Sequence, residues 1–141
     1  MTTDNFKHVC VPGGGGYVGS ALVPTLLDAG YDVTVLDQFL YGNYLPKHDN
    51  LRIVTGDVRD LTAVSKALAG VDAVIHLACI SNDPSYELDP SLSRSINYDS
   101  FEPFVRIARE SGAERLCFIR ERTIAESIRG QCCFGMNQAP C

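Results

Sequence analysis

The sequence predicts an α/β protein built on a doubly wound parallel sheet. Short apolar strands alternate with longer amphipathic segments, four consecutive glycines lie between the first strand and the first helix, and Asp37 closes the second strand. Strands joined through helices or long crossovers connect in the right-handed parallel sense. Several of them are continuous apolar runs, as expected when helices cover both faces of a sheet.

Residues 7–11 (KHVCV) read as the first strand and 17–29 as the first helix. In that helix Val18, Leu22 and Leu26 recur every fourth residue and mark the buried face, and Gly30 supplies the stop. Pro24 removes one internal hydrogen bond and is expected to bend it. Residues 31–36 (YDVTVL) form a second strand, and 38–50, with Gly42, Asn43 and Pro46, a loop. A third strand covers 51–55. Asp60 then caps a helix through Leu68, closed by Gly70. The fourth strand is 71–77 (VDAVIHL), followed by the polar loop SNDPSYELDPS. A helix over 92–110 turns Ile96, Phe104, Val105 and Ala108 inward, and Pro103 is expected to kink it. The fifth strand, 114–119 (ERLCFI), is expected to leave an open apolar edge and marginal stability.

Composition narrows the function. A chain of 141 residues with 45% hydrophobic content suits one globular domain. A formal net charge of -5 argues against nucleic acid as a partner, and scattered Lys and Arg argue against an anionic membrane. With no leader-like start and no run of 18 apolar residues, the protein is expected to be cytoplasmic. Cys10, Cys79 and Cys117 lie in or beside apolar runs and are expected to act as small hydrophobic thiols, while Cys132, Cys133 and Cys141 crowd the tail. There is no C-x-x-C and no His in the tail, so no metal site is expected.

Chemistry concentrates in Gly13-Gly14-Gly15-Gly16-Tyr17-Val18-Gly19, which reads as G-x-G-x-x-G from Gly14 or G-x-x-G-x-x-G from Gly13. One glycine makes the tight turn, another admits a pyrophosphate to the backbone, and Gly19 lets helix and sheet approach closely. The helix N-terminus then offers unpaired N–H groups to phosphate oxygens. Asp37 stands about 20 residues on, where a carboxylate accepts hydrogen bonds from the ribose hydroxyls and repels a 2′-phosphate. Gln38 and Phe39 follow it rather than Arg or Lys, so NAD is expected over NADP. The plainer alternative is a glycine turn with a surface Asp at a strand end.

These segments, with GDVRD, VDAVIHLACISNDPS, SINYDS and ERLCFI in order, resemble the NAD-dependent epimerase/dehydratase branch of the extended short-chain dehydrogenases/reductases. The resemblance covers the N-terminal half of that family. It implies an incomplete Rossmann fold of about five strands in residues 1–120, with the Cys-rich tail 121–141 outside it. Gly13, Gly15, Gly16, Tyr17, Val18 and Gly19 then match the family's pyrophosphate loop. Asp57 matches the acid that bonds the adenine amino group, with Val58 beside the ring; a turn-forming Asp is the alternative. Leu77 and Ala78 match the segment along the pyrophosphate and nicotinamide ribose. Asn97 matches the helix asparagine that holds active-site backbone, or is simply a polar residue on a half-exposed helix. His76 reads as a hydrogen-bonded core residue rather than a catalyst. Pro12, where the family has Thr or Ser, is expected to loosen the loop, and Cys79 stands where Ala is usual.

The family's Tyr-x-x-x-Lys dyad takes a proton from a substrate hydroxyl while hydride passes to the nicotinamide. None of the six tyrosines has Lys four residues later, so no catalytic residue is assigned. The resemblance implies a nucleotide-sugar substrate and a homodimer, with this chain expected to be a truncated or frame-shifted product. A non-catalytic dinucleotide-binding or redox-sensing protein is the alternative. A methyltransferase is disfavoured by GDVRD and HLAC together.

Overall fold

A computed structural model describes residues 6–80 and 88–118, together with the backbone of 133–135. Over them the chain runs β1 (His8–Pro12), α1 (Tyr17–Asp28), β2 (Asp32–Asp37), β3 (Leu51–Thr55), α2 (Leu61–Leu68), β4 (Ala73–His76), α3 (Pro90–Arg94), a π-helical turn (Ser95–Asp99), α4 (Phe101–Glu110), β5 (Arg115–Phe118) and β6 (Cys133–Gly135). The sheet order is β3-β2-β1-β4-β5-β6. β1 to β5 are mutually parallel. Strand order therefore reverses at β1, whose neighbours are β2 and β4, and such a reversal leaves a crevice at the C-terminal strand ends.

Alternation along the strands sorts the side chains onto two faces. Val9, Val11, Val33 and Val35 pack under α1 with Val23 and Leu27. Cys10, Leu36, Val54, Val74 and Leu116 face α2 and α4, where Val64, Leu68 and Phe104 fill the space. Each such Val, Leu or Phe stabilises the fold by roughly 1.5–3 kcal/mol through burial. Asp60 caps α2 by accepting from Thr62 and Ala63 N–H.

Four expectations are corrected. The buried face of α1 is Gly19, Val23 and Leu27; Leu22 and Leu26 are only half-buried at its margin and Val18 is exposed. The apolar stripe is wide, and the sheet meets its other edge. The helix expected over 92–110 is interrupted by the π-turn, in which Ser100 N–H reaches back five residues to the Ser95 carbonyl. Pro103 brings no N–H to the Asp99 carbonyl four residues before it, so the disturbance falls upstream of the proline. β5 is not an open edge, because β6 pairs with it antiparallel, with Cys117 in register with Cys133. Of the three cysteines expected to be apolar thiols, only Cys10 is buried, its thiol pushed up to about 12 by burial; Cys79 is exposed and Cys117 is disulfide-bonded. A sequence cannot show which strand comes to lie beside β5. Most of the tail 121–141, Ile119 and the loop 81–87 lie outside the described residues.

Candidate functional site

The glycine run turns the chain from β1 into α1 at the point of strand reversal. Gly13 has φ +79°, and a Cβ there would meet the Ala78 amide nitrogen at 2.5 Å, so loop and post-β4 backbone lie in direct contact. A Cβ on Gly19 would overlap the Gly14 carbonyl, which is why helix and loop can close together. Gly13 N–H donates to Leu36 O at 2.8 Å, Gly14 N–H to Val11 O at 3.1 Å, and Leu77 N–H to Pro12 O at 2.8 Å. The loop is thus anchored despite Pro12, because its ties run through carbonyls and neighbouring amides that proline does not remove.

Gly16 is the N-cap of α1 and supplies no side-chain acceptor. The first-turn N–H groups of Tyr17 and Val18 have no intrahelical partner by geometry, and together with Gly19 they leave partial positive charge at the helix start. Tyr17 is almost fully exposed. Beside them lies a hollow of about 310 Å³ between Gly15, Gly16 and Tyr17 on one side and Tyr41 and Tyr44 on the other. Those two tyrosines fall in the stretch that the sequence marks only as a loop, where spacing carries no periodic signal.

Asp37 ends β2, and Asp57 lies two residues beyond the end of the adjacent β3. Asp37 Oδ2 accepts Gly15 N–H at 2.9 Å and Oδ1 accepts Phe39 N–H at 2.8 Å. A carboxylate has about four lone-pair sites, so each oxygen of Asp37 retains capacity for a hydroxyl donor. Asp57 is different. Oδ1 accepts Arg59 N–H at 2.8 Å and Arg59 Nε at 2.9 Å, and Oδ2 accepts Arg59 Nη2 and, at 3.1 Å, Gln38 Nε2. The Arg59 hydrogen bonds hold this carboxyl below its usual range, against a smaller opposing effect of burial. Arg59 Nη1 in turn reaches Ser95 Oγ at 3.2 Å. Sequence pattern does not single out Gln38, Arg59 or Ser95; only the short spacing of GDVRD hints at the Asp57–Arg59 pair.

Val58 is buried against the α2 side of the core, so what it can present to a base is backbone. Leu77 and Ala78 continue β4 and lie half-buried against opposite core faces. Asn97, on the π-turn, accepts Ile80 N–H at 2.8 Å and donates to Ile80 O at 2.8 Å, clamping the chain two residues beyond Ala78. His76 is in the core, but its Nε2 has no hydrogen-bond partner. It meets Phe104 edge-on at 4.8 Å, and burial lowers its pKa to about 4, so the ring is neutral. At Nε2 the hydrogen bond expected of this core histidine is therefore missing.

The structure thus gathers the glycine loop, Asp37, Asp57 and the Leu77–Ala78 backbone at the C-terminal ends of β1 to β4. The arrangement suits an elongated ligand with phosphates at one point and hydroxyl and amine donors at another. Residues 9–121 match the model of the NAD dependent epimerase/dehydratase family. The chain belongs to that family.

NAD is accordingly the family's cofactor, and the loop, with space that a Cβ would fill and an uncapped helix start, fits it. A 3-beta-hydroxysteroid dehydrogenase of Mycolicibacterium neoaurum is 31% identical over 121 residues, covering 83% of this chain and 32% of its own length. A UDP-glucose 4-epimerase of Lacticaseibacillus casei is 30% identical over 112 residues, covering 78% and 34%. The solved UDP-glucose 4-epimerase of Thermus thermophilus, in complex with NAD, superposes with a TM-score of 0.73 at 26% identity, covering 88% of this chain and 44% of that one. The chain spans about one third of the length of the curated relatives it matches. No helix among the described residues is long and apolar enough to cross a membrane.

Proposed function

We propose that this chain is the NAD-binding part of an oxidoreductase that acts on a nucleotide sugar. The observation that carries the proposal is the half-filled Asp37 carboxylate beside the uncapped start of α1. NAD when bound supplies a hydride acceptor; the residues here bind and orient it. Backbone from Gly13, Gly15, Gly16, Tyr17, Val18 and Gly19 receives the pyrophosphate, and Asp37 the two hydroxyls of the adenosine ribose. Asp57 takes the adenine amine, with Val58 contributing backbone. Leu77 and Ala78 line the nicotinamide side, and Asn97 positions that segment through Ile80. The family domain is 1–120, and the tail 121–141 lies outside the family fold although its strand β6 pairs with β5.

The 141 residues contain no Tyr-x-x-x-Lys, and by themselves they bind cofactor without turning substrate over. Calorimetric titration of the chain with NAD and NADP tests the reading. Tighter binding of NAD supports it; a preference for NADP, or no affinity for either, sinks it. A hydroxysteroid is the second substrate reading, favoured by the 31% identity to a steroid dehydrogenase. Saturation transfer from the NAD-loaded chain to a nucleotide sugar or to a 3β-hydroxysteroid separates the two.

A further inference from the structure

Asp57 is saturated before any ligand arrives: four donors already occupy its two oxygens. Three come from Arg59, the next residue but one, and Arg59 is steadied from the other side by Ser95. The fourth is the Gln38 carboxamide, the longest of these contacts at 3.1 Å, from an exposed side chain nineteen residues away. It is also the only one of the four that is an –NH2 group on a neutral planar carbon, the same donor type as the exocyclic amine of adenine. Gln38 directly follows Asp37, and the two strand ends are tied by Gly56 N–H donating to Asp37 O at 3.0 Å. The carboxamide therefore reaches from the ribose-binding acid to its neighbour.

We propose that Gln38 is a removable occupant of the Asp57 carboxylate, holding the place of the adenine amine and thereby setting how tightly the base is gripped. This rests on the reading of Asp57 given under Proposed function. Adenine binding exchanges one neutral donor on Oδ2 for another while the charged Arg59 contacts stay in place. Because the Gln38 contact must be broken, the net gain from the amine is smaller than for an unoccupied carboxylate. Gln38 is thus a specificity-determining residue that lowers, rather than raises, the premium on adenine.

The test is titration calorimetry of the full chain, Gln38→Ala and Asp57→Asn with NAD and with nicotinamide hypoxanthine dinucleotide, which carries a carbonyl in place of the amine. Gln38→Ala is expected to bind NAD about 3- to 10-fold more tightly, the equivalent of one ordinary hydrogen bond, without a matching gain for the hypoxanthine analogue. Unchanged or weaker NAD binding by Gln38→Ala, with NAD still preferred over the analogue by the parent, overturns the role of Gln38 alone. Equal binding of the two dinucleotides by both the parent and Asp57→Asn overturns the Asp57 reading itself. Gln38 is exposed, so the variant is expected to keep the fold, with far-ultraviolet circular dichroism as the check.

Discussion

The two ends of the site are built by different means. Around β1 and α1 the chain is shaped by backbone: glycines that tolerate no Cβ, amides bonded to strand carbonyls, and one acid gripping Gly15 and Phe39 N–H. Around β3 and the π-turn it is shaped by side chains, through Gln38, Asp57, Arg59 and Ser95. Backbone geometry cannot yield by a rotamer change, whereas side-chain networks can exchange a partner. The first end should therefore fail all at once under substitution, and the second in graded steps.

Gly19→Val is the severest way to probe that contrast. Overlap with Gly14 should cost about 3 kcal/mol or more and abolish NAD binding, read by thermal melting and calorimetry. If it melts like the parent, the backbone account of this end is wrong. His76 offers a global reference of similar size, since it lies in the core rather than in either end. Its folded pKa of about 4 lies below the usual histidine value, so below about pH 6.5 the unfolded chain takes up a proton that the folded chain refuses. Stability should fall by about 3 kcal/mol as pH drops from about 6.5 to 4. In denaturant titrations His76→Leu should lack that part of the slope.

Asp37→Ala comes next. Loss of both ribose contacts should weaken NAD by about 30-fold or more and erase its advantage over NADP. Retained selectivity would place the discrimination elsewhere. At the other end, Arg59→Met should cost only about 0.5–1 kcal/mol, the range of partly exposed ion pairs. It should also return the Asp57 carboxyl toward its ordinary range. Because Asp57 is held low, its stabilising effect is present above about pH 4 and lost as pH falls further, so Arg59→Met should flatten acid unfolding there. Ser95→Ala is the mildest, a few tenths of a kcal/mol by the same scale; a loss as large as that of Arg59→Met would show that the network, not the pair, holds the acid.

Much of the first end was legible. A strand, four glycines, a helix and an acid at fixed spacing are local features, and β3 and α2 fall where apolar pattern and the Asp60 cap put them. Asn97 was legible as a type of residue, but its clamp on Ile80 was not, because the partner is seventeen residues away. The π-turn was hidden for another reason. Pro103 announces a defect in the helix, but whether it kinks there or widens upstream depends on what Phe101 and Phe104 must reach, and both meet His76 edge-on.

Order of elements, the glycine turn and the charge at the end of β2 follow from residues close in sequence, where φ preferences, periodicity and spacing act directly. A contact across nineteen residues filled the last place on the Asp57 carboxylate, one across thirty-six tied Arg59 to Ser95, and strand pairing decided that β5 is covered. Long-range neighbours are chosen by packing of the whole chain, and lone pairs are filled by whichever donors that packing delivers.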